Sequence, residues 1–327
     1  VIAHRFADFR ENDTQSKTFW QANRVCLFEE RDMTQSTDAW KARGNYFTYR
    51  GHQIFWREEG SVDAPALLLI HGFPTASWDW LHVWPDLLKR YRLLTLDMIG
   101  FGHSDKPRNY VYSILDQADL YDRFLAMRGL GEFHILAHDY GDSVAQEMLA
   151  RDIECANRPR LRSVCFLNGG LFPETHRRVR FQSLLLSPIG PLVSLLTTRR
   201  KLSENMSAVF GSRYPADTET LDSMWEVLRE QHGERIMHKL INYIPDRIKH
   251  RERWVGALQA AEIPLKLIVG PVDPISGSHM VERYRELVPR SDVTELPGVG
   301  HYPQVQAPAA VTASYFEFRD RLATVCS

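Results

Sequence analysis

The 327-residue sequence has no surplus of either charge: 40 Lys and Arg stand against 41 Asp and Glu, for a formal net charge of -1. Affinity for nucleic acid comes largely from cations that displace counterions from phosphate, so no nucleic-acid partner is expected. Long hydrophobic runs are also missing. None approaches the roughly 18 to 20 apolar residues that cross a bilayer, and no transmembrane segment is expected. The first residues, with Arg5, Asp8, Arg10, Glu11 and Asp13, do not form the apolar stretch of a signal peptide, which points to a soluble, cytoplasmic chain. Cysteine is sparse. Cys26, Cys155, Cys165 and Cys326 lie far apart, with no Cys-x-x-Cys pair and no Cys/His cluster at zinc spacing, so neither a disulfide framework nor a metal site is expected. Cys165 sits in the apolar run Val164 to Leu167 and reads as a buried thiol in a reducing compartment. Internal repeats and low-complexity tracts are absent as well.

What is present is an ordinary globular balance, with 44% apolar and 25% charged residues. The length allows two domains or one domain carrying an insertion. Residues 1–43 mix polar stretches with scattered aromatics and read as an N-terminal arm. Tyr46 to Tyr49 and Gln53 to Arg57, separated by Arg50-Gly51-His52, form a hairpin pattern. Then come short apolar runs without alternation, Ala66–Ile70, Leu93–Leu96, Phe133–Ala137 and Val164–Leu167, with helical stretches between them over Ser77–Lys89 and Ser113–Leu130. Ser113 is placed as N-cap, with Asp116 three residues on resembling a capping box. Unalternating strands separated by helices predict a mostly parallel sheet buried on both faces. The alternation stops after Leu167 and resumes at Leu265–Val269. An α/β core is therefore expected over 44–168 and 259–327, with a helical cap inserted over 169–258, and a last helix after Pro308 that buries Val311, Tyr315 and Phe318.

The chemistry concentrates at strand ends. Ala137-His138-Asp139-Tyr140-Gly141 has the layout of a nucleophile elbow, small-x-nucleophile-x-Gly, with Asp in place of the usual Ser. The competing reading of Asp139 is a plain helix N-cap. His71-Gly72-Phe73-Pro74 follows the strand ending at Ile70; its Phe73 N–H, with that of Tyr140, would form a two-donor pocket for an oxyanion. Asp273 stands just past the strand ending at Val269, and His301 in the loop after the last strand. Nucleophile, acid and histidine thus follow in chain order at the carboxyl edge, where open parallel sheets hold ligands. Ser143, two residues after Gly141, falls inside the helix and is rejected as nucleophile. A carboxylate attacking an acyl group would give a reactive anhydride, so Asp139 suits displacement at saturated carbon. An alkyl ester would form and then be hydrolysed by water activated by His301. No cofactor or metal is called for.

With these motifs in place, the sequence resembles the α/β-hydrolase fold family, in the branch that holds epoxide hydrolases and haloalkane dehalogenases. Asp97-Met98-Ile99-Gly100-Phe101-Gly102-His103-Ser104 matches that branch's Asp-x-x-Gly-x-Gly-x-Ser loop. His71-Gly72-Phe73-Pro74-Thr75, Asn168-Gly169-Gly170-Leu171-Phe172-Pro173 and Arg253-Trp254-Val255-Gly256 are similar to the vertebrate mesoderm-specific transcript group within it. The resemblance runs from about Trp40 to Phe318. It implies an epoxide hydrolase acting on a small apolar substrate with water, with Tyr243 or Tyr214 as the acid that protonates the leaving oxygen. A haloalkane dehalogenase is the alternative, with Trp225 or Trp254 as halide donors. Tyr140 after the nucleophile and Phe73 after His-Gly depart from the dehalogenase pattern. His71 and Asn168 are placed near the pocket floor in structural roles. A lipid-directed acyl hydrolase or transferase, and a non-catalytic binding protein on the same fold, are the further readings.

Overall fold

The computed structural model describes residues 36–155 and 159–325. The chain divides into two compact units, Val1–Ala42 and Arg43–Ser327. Of the first, a short helix over Thr37–Ala42 is described; the rest of the expected arm, like Cys26 and Cys326, lies outside the described residues.

The second unit is built on eight strands: β1 (Asn45–Tyr49), β2 (His52–Glu59), β3 (Ala66–Ile70), β4 (Arg92–Leu96), β5 (Glu132–His138), β6 (Arg160–Leu167), β7 (Leu265–Val269) and β8 (Asp292–Glu295). They form one sheet in the order β1-β2-β4-β3-β5-β6-β7-β8. β1 and β2 are the expected hairpin, β2 runs antiparallel to β4, and the other pairings are parallel. All five residues of β3 and β7 are buried, as predicted for unalternating strands covered on both faces. Each leucine of β3 is fully enclosed, and such burial contributes about 1.5–3 kcal/mol per side chain. β3 lies between β4 and β5, so the chain leaves it toward one side and later returns on the other. The loops after β3 and β5 are therefore neighbours at the carboxyl edge.

Helices α1 (Ile114–Arg128) and α2 (Tyr140–Glu154) flank β5 in sequence. The Ser113 hydroxyl accepts from the Asp116 N–H at 3.2 Å, as the cap pattern predicts, and Gly129 ends α1 at φ 63°. The Asp116 carboxylate turns to the hydroxyls of Tyr49 and Tyr110, at 3.0 and 2.6 Å. The helix expected over Ser77–Lys89 is broken into a 3-10 turn, Ser77–Trp80, and a short helix, Trp84–Leu88. Pro85 explains the break, because proline fits the first turn of a helix and not its interior. Between β6 and β7 the described residues form helices only, including α3 (Arg199–Val209), α4 (Thr218–Arg229), α5 (Tyr243–Lys249) and α6 (Arg251–Ala260). Of these, α6 is joined to α2: Arg253 and the Trp254 indole both donate to Glu147. α7 (Ser278–Leu287) and α8 (Pro308–Val325) complete the fold, with Val311, Tyr315 and Phe318 buried.

Candidate active site

β5 passes into α2 through Asp139, whose backbone is held at φ 47°, ψ -104°. A non-glycine residue there stores on the order of 1–3 kcal/mol of strain and needs surroundings that enforce it. Those surroundings are visible. The Asp139 N–H donates to the Leu167 carbonyl at 3.2 Å, and its carbonyl accepts from Arg247 Nη2 at 2.8 Å. Gly141 lets α2 cross the end of β3, since a Cβ there would stand 2.4 Å from the Ile70 carbonyl oxygen. The Asp139 side chain makes no cap hydrogen bond to its own helix. Instead, Oδ2 accepts from the Phe73 N–H at 3.2 Å, which sets aside the N-cap reading.

His301 faces this carboxylate, its Nε2 4.0 Å from Asp139 Oδ2, and its Nδ1 bonds Asp273 Oδ2 at 2.8 Å. All three side chains are buried. Burial alone would push the Asp273 carboxyl up. The charge and hydrogen bond of His301, the Ile275 N–H and the Ser276 hydroxyl outweigh it and hold Asp273 down at about 2. Burial likewise pulls against the His301 imidazolium, but Asp273, with help from Asp139, leaves His301 raised above the ordinary histidine range. Asn168 sets the acid. Its Nδ2 donates to Asp273 Oδ2 at 3.0 Å and to the Gly270 carbonyl at 3.1 Å, while its Oδ1 accepts from the Gly270 N–H at 2.7 Å.

Phe73 and Tyr140 both flank Asp139, one through its amide and the other as the next residue in the chain. Phe73 N–H is already directed at Asp139, and Tyr140 opens α2, where the first amides have no partner within the helix. Over Asp139 and His301 lies a cavity of about 50 Å³, lined by Phe73, Val179, Phe181, Leu202, Met206 and Tyr302 among others, and so mainly apolar. A wider depression of about 900 Å³, with Ala66, Arg92, Glu132 and Arg160 on its walls, is at the amino ends of the strands and away from these groups.

Arg247 is the residue that the sequence reading missed. It is 1% exposed, donates through Nε to the Ser143 hydroxyl at 2.6 Å and places Nη2 3.5 Å from Asp139 Oδ1. A cation from the inserted helices thus stands against the central carboxylate. The available signal was spacing: Arg247 lies four residues after Tyr243 and so shares its helix face. Its guanidinium covers the Tyr243 ring at 4.5 Å.

A profile of the family described as alpha/beta hydrolase fold matches residues 65–308, three quarters of the chain. The chain belongs to the α/β-hydrolase family. The mesoderm-specific transcript protein of Mus musculus is 40% identical over 297 residues, covering 88% of each chain. LipZ of Mycobacterium tuberculosis, which is named a hydrolase, is 38% identical over 275 residues, covering 84% of this chain and 95% of LipZ. Among solved structures, a loop variant of the haloalkane dehalogenase DbeA from Bradyrhizobium elkanii superposes with a TM-score of 0.72 at 22% identity, covering 86% of this chain and 98% of that one. At that identity the likeness concerns the fold.

This α/β-hydrolase places none of the six expected pocket residues in the cavity lining itself, and they differ in how near they stand to it. Tyr243 does not line the cavity itself but stands directly behind its wall, packed against Phe73 and Tyr140 at ring distances of 5.8 and 5.1 Å, with Nε2 of the lining residue Gln182 3.4 Å from its hydroxyl. Tyr214 does not line the cavity. Its ring lies under the Arg213 guanidinium, and its carbonyl accepts from Gln306. Trp225, half-buried on α4, does not line it either. Trp254 points the other way, its indole bonded to Glu147 at 2.8 Å. Trp254→Phe is therefore expected to leave turnover unchanged and to cost about 1–3 kcal/mol of stability through the lost charge-assisted bond, read by denaturant melts. His71 holds the loop, with Nε2 accepting from the Met98 N–H at 3.1 Å. His138 bonds the His301 carbonyl at 2.8 Å, and burial lowers it to about 4. No group of three or more His, Cys, Asp or Glu able to hold a metal exists among the described residues.

Proposed function

We propose that this hydrolase opens a small apolar epoxide by way of a covalent ester on Asp139. The observation that carries the reading is the orientation of that carboxylate. It is withdrawn from helix capping, aimed into a mainly apolar cavity and faced by the His301–Asp273 pair. An Asp139 oxygen attacks an epoxide carbon, the carbon–oxygen bond breaks, and the Tyr243 hydroxyl, which stands behind the lining residue Gln182 at 3.4 Å, protonates the departing oxygen. Burial, and next the charge of Asp139, keep Tyr243 protonated until then, while Arg247 over its ring favours the phenolate that follows. His301 Nε2 then takes a proton from water, whose oxygen attacks the Asp139 carboxyl carbon. The Phe73 and Tyr140 N–H groups hold the tetrahedral oxyanion, each such donor being worth about 3–4 kcal/mol. On collapse the proton remaining on the attacking oxygen passes to the departing alkoxide, which frees the diol and returns Asp139 as a carboxylate, and the proton on His301 restores Tyr243 through solvent.

Absence of tryptophan from the described cavity lining favours the epoxide over a halide, which calls for indole or amide donors. A single turnover in heavy-oxygen water tests the reading. One labelled oxygen is expected in the peptide bearing Asp139, with none in the diol. Label in the diol alone would mean direct attack by water, and no label with no product would mean a binding protein.

The pH dependence has a defined sign. His301 must be neutral to accept a proton, so the hydrolytic step rises with pH through the His301 pKa. Asp273 holds that pKa above the ordinary value of about 6.5. Asp273→Asn removes the stabilising anion, so the midpoint of the acidic limb is expected to move to lower pH while the plateau rate falls. A pH–rate series on both proteins measures this; an unmoved midpoint would separate the limb from His301.

A further inference from the structure

Five of the twelve exposed large apolar side chains among the described residues fall within one stretch: Leu184, Ile189, Leu192, Leu195 and Leu196, each between 45% and 57% exposed. Such clustering is uncommon on a soluble surface, where exposed apolar residues are normally scattered singly. The helix Gly190–Leu195 is inverted. Gly190, Ser194 and Thr197 are buried, while Ile189, Leu192 and Leu196, at spacings of three and four, occupy the outer face. The small inner face is fixed in place. The Ser194 hydroxyl accepts from the His238 N–H at 2.9 Å, and a Cβ on Gly190 would stand 2.1 Å from the Leu185 carbonyl oxygen. The leucines therefore cannot rotate inward without losing that bond and that close approach.

The charge around this face has one sign. No Asp or Glu occurs from Thr175 through Ser203, whereas Arg177, Arg178 and Arg180 precede the apolar residues and Arg199, Arg200 and Lys201 follow them, all exposed. Arg199 is paired with Asp222 and Arg200 with Glu204, which leaves the balance positive. Exposed leucines between basic clusters form the chemistry of a helix that lies in a membrane interface, with apolar side chains among acyl chains and cations at anionic headgroups. No described helix is long and apolar enough to cross a membrane.

We infer that residues 177–201 dock this protein onto an anionic phospholipid surface. Val179, Phe181 and Gln182 of the same stretch also line the cavity beside Asp139 and His301, so docking sets the outer wall of the cavity against the lipid phase. An apolar substrate would then enter from the bilayer. The docking inference stands on the surface pattern and is independent of the chemistry proposed for Asp139.

The test is co-sedimentation of the full chain with vesicles of phosphatidylcholine alone or with about one third phosphatidylserine. Binding is expected to the mixed vesicles and to weaken in high salt. Leu192→Glu with Leu195→Glu is expected to weaken it roughly tenfold or more with no loss of melting temperature, because both side chains are already exposed. Arg177→Ser with Arg178→Ser serves as a second variant, expected to reduce binding to the anionic vesicles selectively. Failure of the unaltered chain to bind mixed vesicles, or equal binding by the leucine variant, overturns the inference. So does sedimentation of the unaltered chain as a dimer that Leu192→Glu splits, which would assign the face to a second copy.

Discussion

Mixed with one equivalent of a reactive epoxide, the His301→Gln protein is expected to gain the mass of one substrate molecule and to retain it. In the proposed cycle Asp139 needs no base to attack carbon, because a carboxylate is already ionised. Its Oδ2 is held by the Phe73 N–H, and Arg247 stands 3.5 Å from Oδ1. The ester therefore still forms. Its hydrolysis requires a proton acceptor for water, and loss of a positioned general base slows such a step by about 10²–10⁴-fold. Glutamine is close in size to histidine and offers an amide toward Asp273, so the buried carboxylate is not left without a donor. Intact-protein mass spectrometry reads the adduct, and peptide mapping places it at Asp139. An adduct at another residue, or release of diol at the unaltered rate, would remove His301 from the role of base.

Asp139→Asn is expected to abolish both turnover and adduct, lowering the rate by roughly 10⁴-fold or more, as removal of a nucleophile does elsewhere. The fold should survive. The amide oxygen still accepts from Phe73, and Arg247 retains the Asp139 carbonyl at 2.8 Å and Ser143 at 2.6 Å. The lost attraction between Arg247 and the carboxylate is a charge-assisted contact at long range, expected to cost about 1–3 kcal/mol in a denaturant melt. Loss of rate with a cooperative melt separates chemistry from misfolding. Full activity in this variant would leave Asp139 as a positioning residue only. With His301→Gln it forms a pair: one protein should hold the ester, the other never make it.

The inverted leucine face shows where local patterns run out. Read from sequence, Leu184 through Leu196 belongs to the helical cap, and which face these leucines present is left open. In the fold its polar and glycine positions turn inward, because the bond from Ser194 to His238 and the close approach at Gly190 fix the rotation of the helix. The same limit explains Trp254. Its indole N–H made it a candidate halide donor, yet the partner that decides its direction is Glu147, more than a hundred residues earlier.

Local chemistry made the strands legible, because unalternating apolar runs have few other solutions, and it made the elbow legible, because a tight strand-to-helix turn needs small residues on both sides of Asp139. Chain order and the carboxyl-edge rule then aligned Asp273 and His301 with it. Tertiary structure alone decided which helix face of the inserted segment meets the site: it delivered Tyr243 and Arg247, withheld Tyr214, Trp225 and Trp254, and gave Asn168 to Asp273. The physical reason is that helical periodicity defines a stripe of neighbours and leaves its direction to partners far along the chain.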